Sequence, residues 1–193
     1  MLSHSAFLAF VVCAVGASAA FVGCSPAQIT ALDAAIPVAQ TYAAAALDQI
    51  NADPTGSMPG YAAWFGAPSI ARRNLVLQHF ALVNGNNFQN YIYDCTGAGA
   101  RCTPNVAAYV DANTFGTVNL CAPYWTLPPD SRETFQSQAS TIVHEATHFA
   151  ANGETRDYKR TVGDCQILAL TRPDQAVMNA ASHEYFAVQS ALV

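Results

Sequence analysis

The sequence predicts a single α+β domain, helical at both ends with a small antiparallel sheet between. Three observations predict it. An Ala-rich run behind Ser25-Pro26-Ala27-Gln28 carries helix-start signals. The middle third breaks into short β-branched and aromatic runs separated by Gly, Pro and Asn. Helical patterning then returns beyond Pro128-Pro129 and continues to the end. At 193 residues, with no internal repeat or linker, the chain suits one domain with a real core.

The elements follow in order. Residues 5–22 are apolar and uncharged, and Ala17-Ser18-Ala19 fits a small-residue cleavage site. Residues 1–19 therefore read as a secretory signal peptide, leaving 20–193 as the mature domain; the rival is an uncleaved anchor. Ser25 and Gln28 form a capping box, with Pro26 at the first helical position, for a helix reaching about Ile50. Pro37 interrupts its pattern and predicts a kink or two consecutive helices. Asp53–Gly60 reads as a loop, and Pro68–Val83 as a second helix in which Leu75, Leu77, Phe80 and Leu82 supply apolar contacts. After the Asn84–Asn87 turn, residues 91–93, 107–110 and 117–120 read as strands. The last helical region begins near Arg132, with a break at Asn152-Gly153 that suits a C-cap and two further helices behind it.

Composition narrows the function. Thirteen acidic against eight basic residues give a net charge of −5, which argues against a nucleic-acid partner. Hydrophobic content of 52% excludes disorder. Removing the leader would take Cys13 away and leave Cys24, Cys95, Cys102, Cys121 and Cys165, enough for two disulfides and one odd thiol in an oxidising compartment. No N-x-S/T sequon occurs. Seven of the eight basic residues are Arg; Lys159 is the only Lys. Such scarcity fits drift in a secreted protein, or a protease that cuts at Lys and has shed its own sites.

The chemistry concentrates in His144-Glu145-Ala146-Thr147-His148, an H-E-x-x-H. On a helix, positions i and i+4 share a face, so both imidazoles converge on one Zn²⁺ while Glu145 reaches its water as general base. Catalytic zinc keeps three protein ligands and one open position. A metzincin pattern fails, because Ala151 and Glu154 stand where Gly and His belong. The spacing leaves Glu154 and Asp157 both open as the third ligand, with Asp157 modestly ahead.

From Ser140 to Phe186 the chain resembles the deuterolysin and peptidyl-Lys metalloendopeptidase family, the aspzincins, fungal secreted proteases of zincin-like fold. Their signature is H-E-x-x-H followed by G-T-x-D-x-x-Y-G. Here Glu154-Thr155-Arg156-Asp157-Tyr158-Lys159-Arg160-Thr161 retains the Thr and the Asp and replaces both Gly and the Tyr. Further likeness lies in Gly23-Cys24-Ser25, Trp64-Phe65-Gly66, Asp94-Cys95-Thr96 and Val177-Met178-Asn179-Ala180. The resemblance implies that His144, His148 and Asp157 bind one Zn²⁺, and that Cys24–Cys95 and Cys102–Cys121 pair, with Cys165 spare. The family Tyr donates to the oxyanion; Arg160, longer and always charged, is the catalytic candidate in its place.

Lys-selective members carry two acids, three residues apart, in the pocket for the residue after the scissile bond. Glu184 matches the second; Ala181 stands at the first, which weakens a Lys preference and admits Arg. Thr117, Val118 and Asn119 are candidates for an exposed edge strand that pairs with substrate, against the alternative of a buried central strand. His79 reads as a helix residue satisfied locally. The implied protein is a secreted, monomeric zinc metalloendopeptidase that takes peptide or protein substrates and has no membrane partner once its signal is removed. The alternative is a secreted pseudo-protease that binds zinc and peptide without cutting, an effector or inhibitor.

Overall fold

A computed structural model describes residues 19–99, 101–131 and 134–192. The expected leader, Ala19 apart, and Arg132 itself lie outside the described residues, but residues 134–137 are not helical, so the helix expected from about Arg132 starts only at Gln138. The order is β1 (Ala20–Val22), α1 (Pro26–Ala52), α2 (Pro59–Phe65), α3 (Ile70–Gly85), β2 (Ile92–Asp94), β3 (Ala108–Tyr109), β4 (Thr117–Leu120), α4 (Gln138–His148), α5 (Val162–Thr171), α6 (Pro173–Ala176) and α7 (Ala180–Ala191). The α+β class holds. No helix among the described residues is long and apolar enough to cross a membrane.

Helix α1 starts as expected: Ser25 Oγ accepts from Gln28 N–H, and the Gln28 side chain accepts from Ser25 N–H. It then runs unbroken through Pro37, so of the two expectations the pair of consecutive helices is not realised. Pro37 and Asp33, whose carbonyl it deprives of a partner, are both exposed, so that group faces solvent rather than the core, while Ala35, Ile36 and Ala39 are buried. The C-terminus of α1 is closed from another helix. Buried Arg73 donates to the carbonyls of Ile50 and Asp53.

The expected 53–60 loop gives way at Pro59 to α2, whose seven residues bury Tyr61, Trp64 and Phe65. Two turns are too short to show a period. In α3 the buried face is Arg73, Val76, His79, Phe80 and Val83; of the expected apolar contacts Phe80 is buried, Leu75 and Leu77 pack half-buried against the core, and Leu82 is exposed.

The sheet is mixed rather than antiparallel, in the order β1-β2-β4-β3. β1 and β2 pair in parallel, as do β2 and β4; only β3–β4 is antiparallel. Parallel pairing needs long crossovers, and α1 to α3 provide the one between β1 and β2. The disulfides are Cys24–Cys95 and Cys102–Cys121, as the resemblance implied. Cys165 is free and buried. α1, α3, α4 and α7 pack on one another around the main core, into which Val118 and Leu120 of β4 also project.

Candidate active site

Ser137 caps α4, its Oγ accepting from Ser140 N–H while Ser140 Oγ accepts from Ser137 N–H. The helix ends at His148, earlier than the expected C-cap at Asn152-Gly153. Asn152 still serves that end from a distance: its buried side chain donates to the Ala146 carbonyl. The chain turns there, and Thr155 N–H donates to the Thr147 carbonyl, directing the next residues back over the helix. Arg156 N–H donates to the Met178 carbonyl and Lys159 N–H to Asn179 Oδ1, so residues 156–159 form a ledge tied to the start of α7.

That ledge delivers Asp157 to the two imidazoles. Its Oδ1 lies 3.0 Å from His144 Nε2 and 3.5 Å from His148 Nε2. The other ring nitrogens are committed. His144 Nδ1 stands 2.9 Å from Glu184 Oε2, and His148 Nδ1 stands 2.7 Å from the Thr155 carbonyl. Carboxylates and carbonyls only accept, so each Nδ1 carries a proton, which leaves Nε2 as the ring nitrogen that a metal would take in place of any proton there. Two Nε2 atoms and a carboxylate oxygen thus face one another, an arrangement that a cation or a shared proton must satisfy. Ligands at about 2.0 Å around a tetrahedral zinc stand roughly 3.3 Å apart, which these distances bracket. The N, N, O donor set and the acceptors behind both rings fit Zn²⁺.

Charges in the cluster shift accordingly. Burial opposes a charge on His144, yet its hydrogen bonds to Asp157 and Glu184 outweigh burial and hold it well above the ordinary imidazole value. Burial also opposes charge on Asp157, but the two imidazoles drive its carboxyl far below the usual range. Glu145 is 5% exposed, and burial raises its carboxyl above the ordinary value. Its carboxylate oxygen lies within 4.8 Å of ligand atoms of both His144 and His148.

Two cavities, of about 520 Å³ and 270 Å³, meet at this point and share Glu145, Asp157 and Arg160. Glu184 opens on the smaller one, with Thr126, Leu127, Gln136 and Thr141. Its second oxygen accepts from Ser140 Oγ at 2.7 Å. Ala181 is buried and brings no second carboxylate. Arg160 Nη2 donates to Asp157 Oδ2 at 2.8 Å.

The expected edge strand is elsewhere. Thr117, Val118 and Asn119 lie inside the sheet, paired with Ile92, Tyr93 and Asp94, and Asn119 also with Tyr109. All three are taken up by β2 on one side, and Asn119 by β3 on the other. The terminal strand is β3, and the stretch around it, Val106 to Ala112, borders the cavities. Its short, weakly patterned segment carried no signal that would have singled it out. His79 is likewise not satisfied locally: its Nδ1 stands 3.1 Å from His183 Nε2, across from α7. Sequence reasoning also missed Thr155, whose carbonyl orients His148, because a backbone contact leaves no trace in residue type.

A joint of two cavities along a sheet edge, floored by a helix presenting two imidazole Nε2 atoms, belongs to the metallopeptidases. Residues 49–188 match the aspzincin family model, described as "Lysine-specific metallo-endopeptidase", and the chain belongs to that family. It is 43% identical over 164 residues to a peptidyl-Lys metalloendopeptidase of Grifola frondosa, covering 85% of this chain and 45% of that protein. It is 41% identical over 169 residues to one of Pleurotus ostreatus, covering 88% of this chain and 96% of that protein. A solved zinc peptidase from Grifola frondosa superposes with a TM-score of 0.79 at 41% identity, covering 86% of this chain and 97% of that one. The chain spans about half the length of some of these relatives and nearly all of others.

Proposed function

We propose that this chain is a secreted, monomeric zinc metalloendopeptidase that cuts peptide bonds before a basic residue, Lys above all. The observation that carries the reading is the convergence of His144 Nε2, His148 Nε2 and Asp157 Oδ1 beside buried Glu145. These three residues would hold the zinc. When bound, zinc supplies a Lewis acid for the peptide carbonyl and an acidified water.

The residues of the chain do the rest. Glu184 and the Thr155 carbonyl hold both rings in the Nε2-presenting tautomer. Glu145 accepts the proton of the attacking water and passes it to the departing amine, and its raised carboxyl suits that exchange near neutral pH. An extended substrate would pair with the free edge near β3, placing the scissile bond where the cavities meet. The residue after that bond enters the smaller cavity, toward Glu184. The names of the Grifola and Pleurotus relatives support Lys there. With Ala181 in place of a second acid, the preference is weaker and admits Arg. The two disulfides support an extracellular compartment. The family match and the intact Glu145 speak against a non-cutting effector.

The test is digestion of a defined protein mixture by the purified, zinc-loaded chain, with each new N-terminus mapped by mass spectrometry and Glu145→Gln as control. The reading expects termini that begin mostly with Lys and a smaller share with Arg, and at least a 10²-fold loss in the control. Cleavage equal in both proteins would overturn the role of Glu145. Termini without a basic residue would overturn the pocket.

A further inference from the structure

Asp157 uses its two oxygens differently. Oδ1 faces both imidazoles, at 3.0 and 3.5 Å, while Oδ2 accepts from Arg160 Nη2 at 2.8 Å. The guanidinium approaches from the solvent side, with 61% of the side chain exposed. Its backbone is anchored. The Arg160 carbonyl accepts from the hydroxyl of Tyr185, a buried residue packed between Trp64 and Phe135. Lys159 N–H, one residue earlier, is held by Asn179. The three-residue step from Asp157 to Arg160 is thus pinned to α7, which sets the reach of the guanidinium onto Oδ2.

From this geometry we infer that Arg160 is a positioning residue for the third metal ligand rather than a donor to the reacting carbonyl. A carboxylate with one free oxygen can rotate, or swing Oδ2 toward the metal. The guanidinium bond removes that freedom and presents Oδ1 alone. It also offsets charge, since Asp157, Glu145 and Glu184 bring three carboxylates to one small volume. An arginine bound to a ligand carboxylate acts as the acceptors behind the two imidazoles do: it fixes a donor atom before the metal arrives. The inference rests on the zinc reading proposed above.

The experiment separates the two. Wild-type protein titrated with zinc against a chromophoric chelator, and assayed on a peptide alongside Glu145→Gln, tests the zinc reading itself. Arg160→Met and Arg160→Lys then test the clamp, with circular dichroism as a fold control. Arg160→Met should weaken zinc binding by about 10-fold or more, mainly through faster release. With zinc saturating, its kcat should stay within about threefold of wild type. Arg160→Lys should restore most of the affinity. Unchanged affinity with a kcat loss of about 10²–10³ would make Arg160 an oxyanion donor and overturn the inference. Unchanged affinity with unchanged kcat would overturn it equally.

Discussion

Glu154 has φ +52°, the left-handed region, and is the only non-glycine residue with positive φ among those described. The family signature has Gly at this position, and the geometry shows why. The chain leaving α4 must reverse so that Thr155 can bond both Thr147 and His148. A side chain in that conformation costs roughly 1–2 kcal/mol, and glycine returns about 0.5–1 kcal/mol of that through its freer unfolded chain. Glu154→Gly is therefore expected to stabilise the protein by on the order of 0.5–1 kcal/mol. A guanidinium midpoint that moves up, with unchanged slope, would show it; a fall would show that the carboxylate makes a compensating contact.

At the scale of elements, α3, α7 and the turn after α4 meet at two buried histidines. His183 Nδ1 donates to the Asn179 carbonyl, leaving Nε2 to accept from His79 Nδ1. A Cβ at Gly153, which has φ +138°, would stand 2.6 Å from the His79 ring, so only glycine lets the turn close over it. Burial lowers His79 to about 4; burial, followed by the His79 charge, lowers His183 to about 3. Their folded values lie below the ordinary 6.5, so the stability they contribute is complete above pH 6.5. It is lost as pH falls from 6.5 toward 4. His144 is shifted upward and has the opposite sign, so the comparison must be with a variant that keeps it. Between pH 7 and 4.5, wild type should lose about 5 °C more in Tm than His79→Gln. Parallel slopes would mean that the pair opens to water before it titrates.

Across the whole molecule, the two covalent closures differ in span. Cys24–Cys95 closes 71 residues and joins the ends of β1 and β2; Cys102–Cys121 closes 19 and holds the approach to β3 against the end of β4. In the loop-entropy account the longer contributes about 4 kcal/mol and the shorter about 3. Replacing both cysteines of one bridge by Ser should lower the guanidinium midpoint by amounts in that order. Loss of the shorter should also raise KM, because it tethers the strand that borders both cavities. An unchanged KM would mean that the Val106–Ala112 edge holds its shape without the tether.

Sequence alone determined what depends on short spacing and residue type. The i and i+4 imidazoles, the capping box at Ser25 and the α+β class all follow from local rules and survive in the structure. That Asp157 comes to stand beside both imidazoles could not follow from spacing. It depends on how residues 156–159 are tied to α7, a contact between segments about twenty positions apart. The same holds for strand sense, for β4 lying inside the sheet, for Pro37 tolerated within α1, and for Glu184 behind His144. Each is decided by which surfaces meet. A strand carries no mark of the neighbour that will take its hydrogen bonds, and a carboxylate none of the ring it will orient, until packing brings the distant segments together.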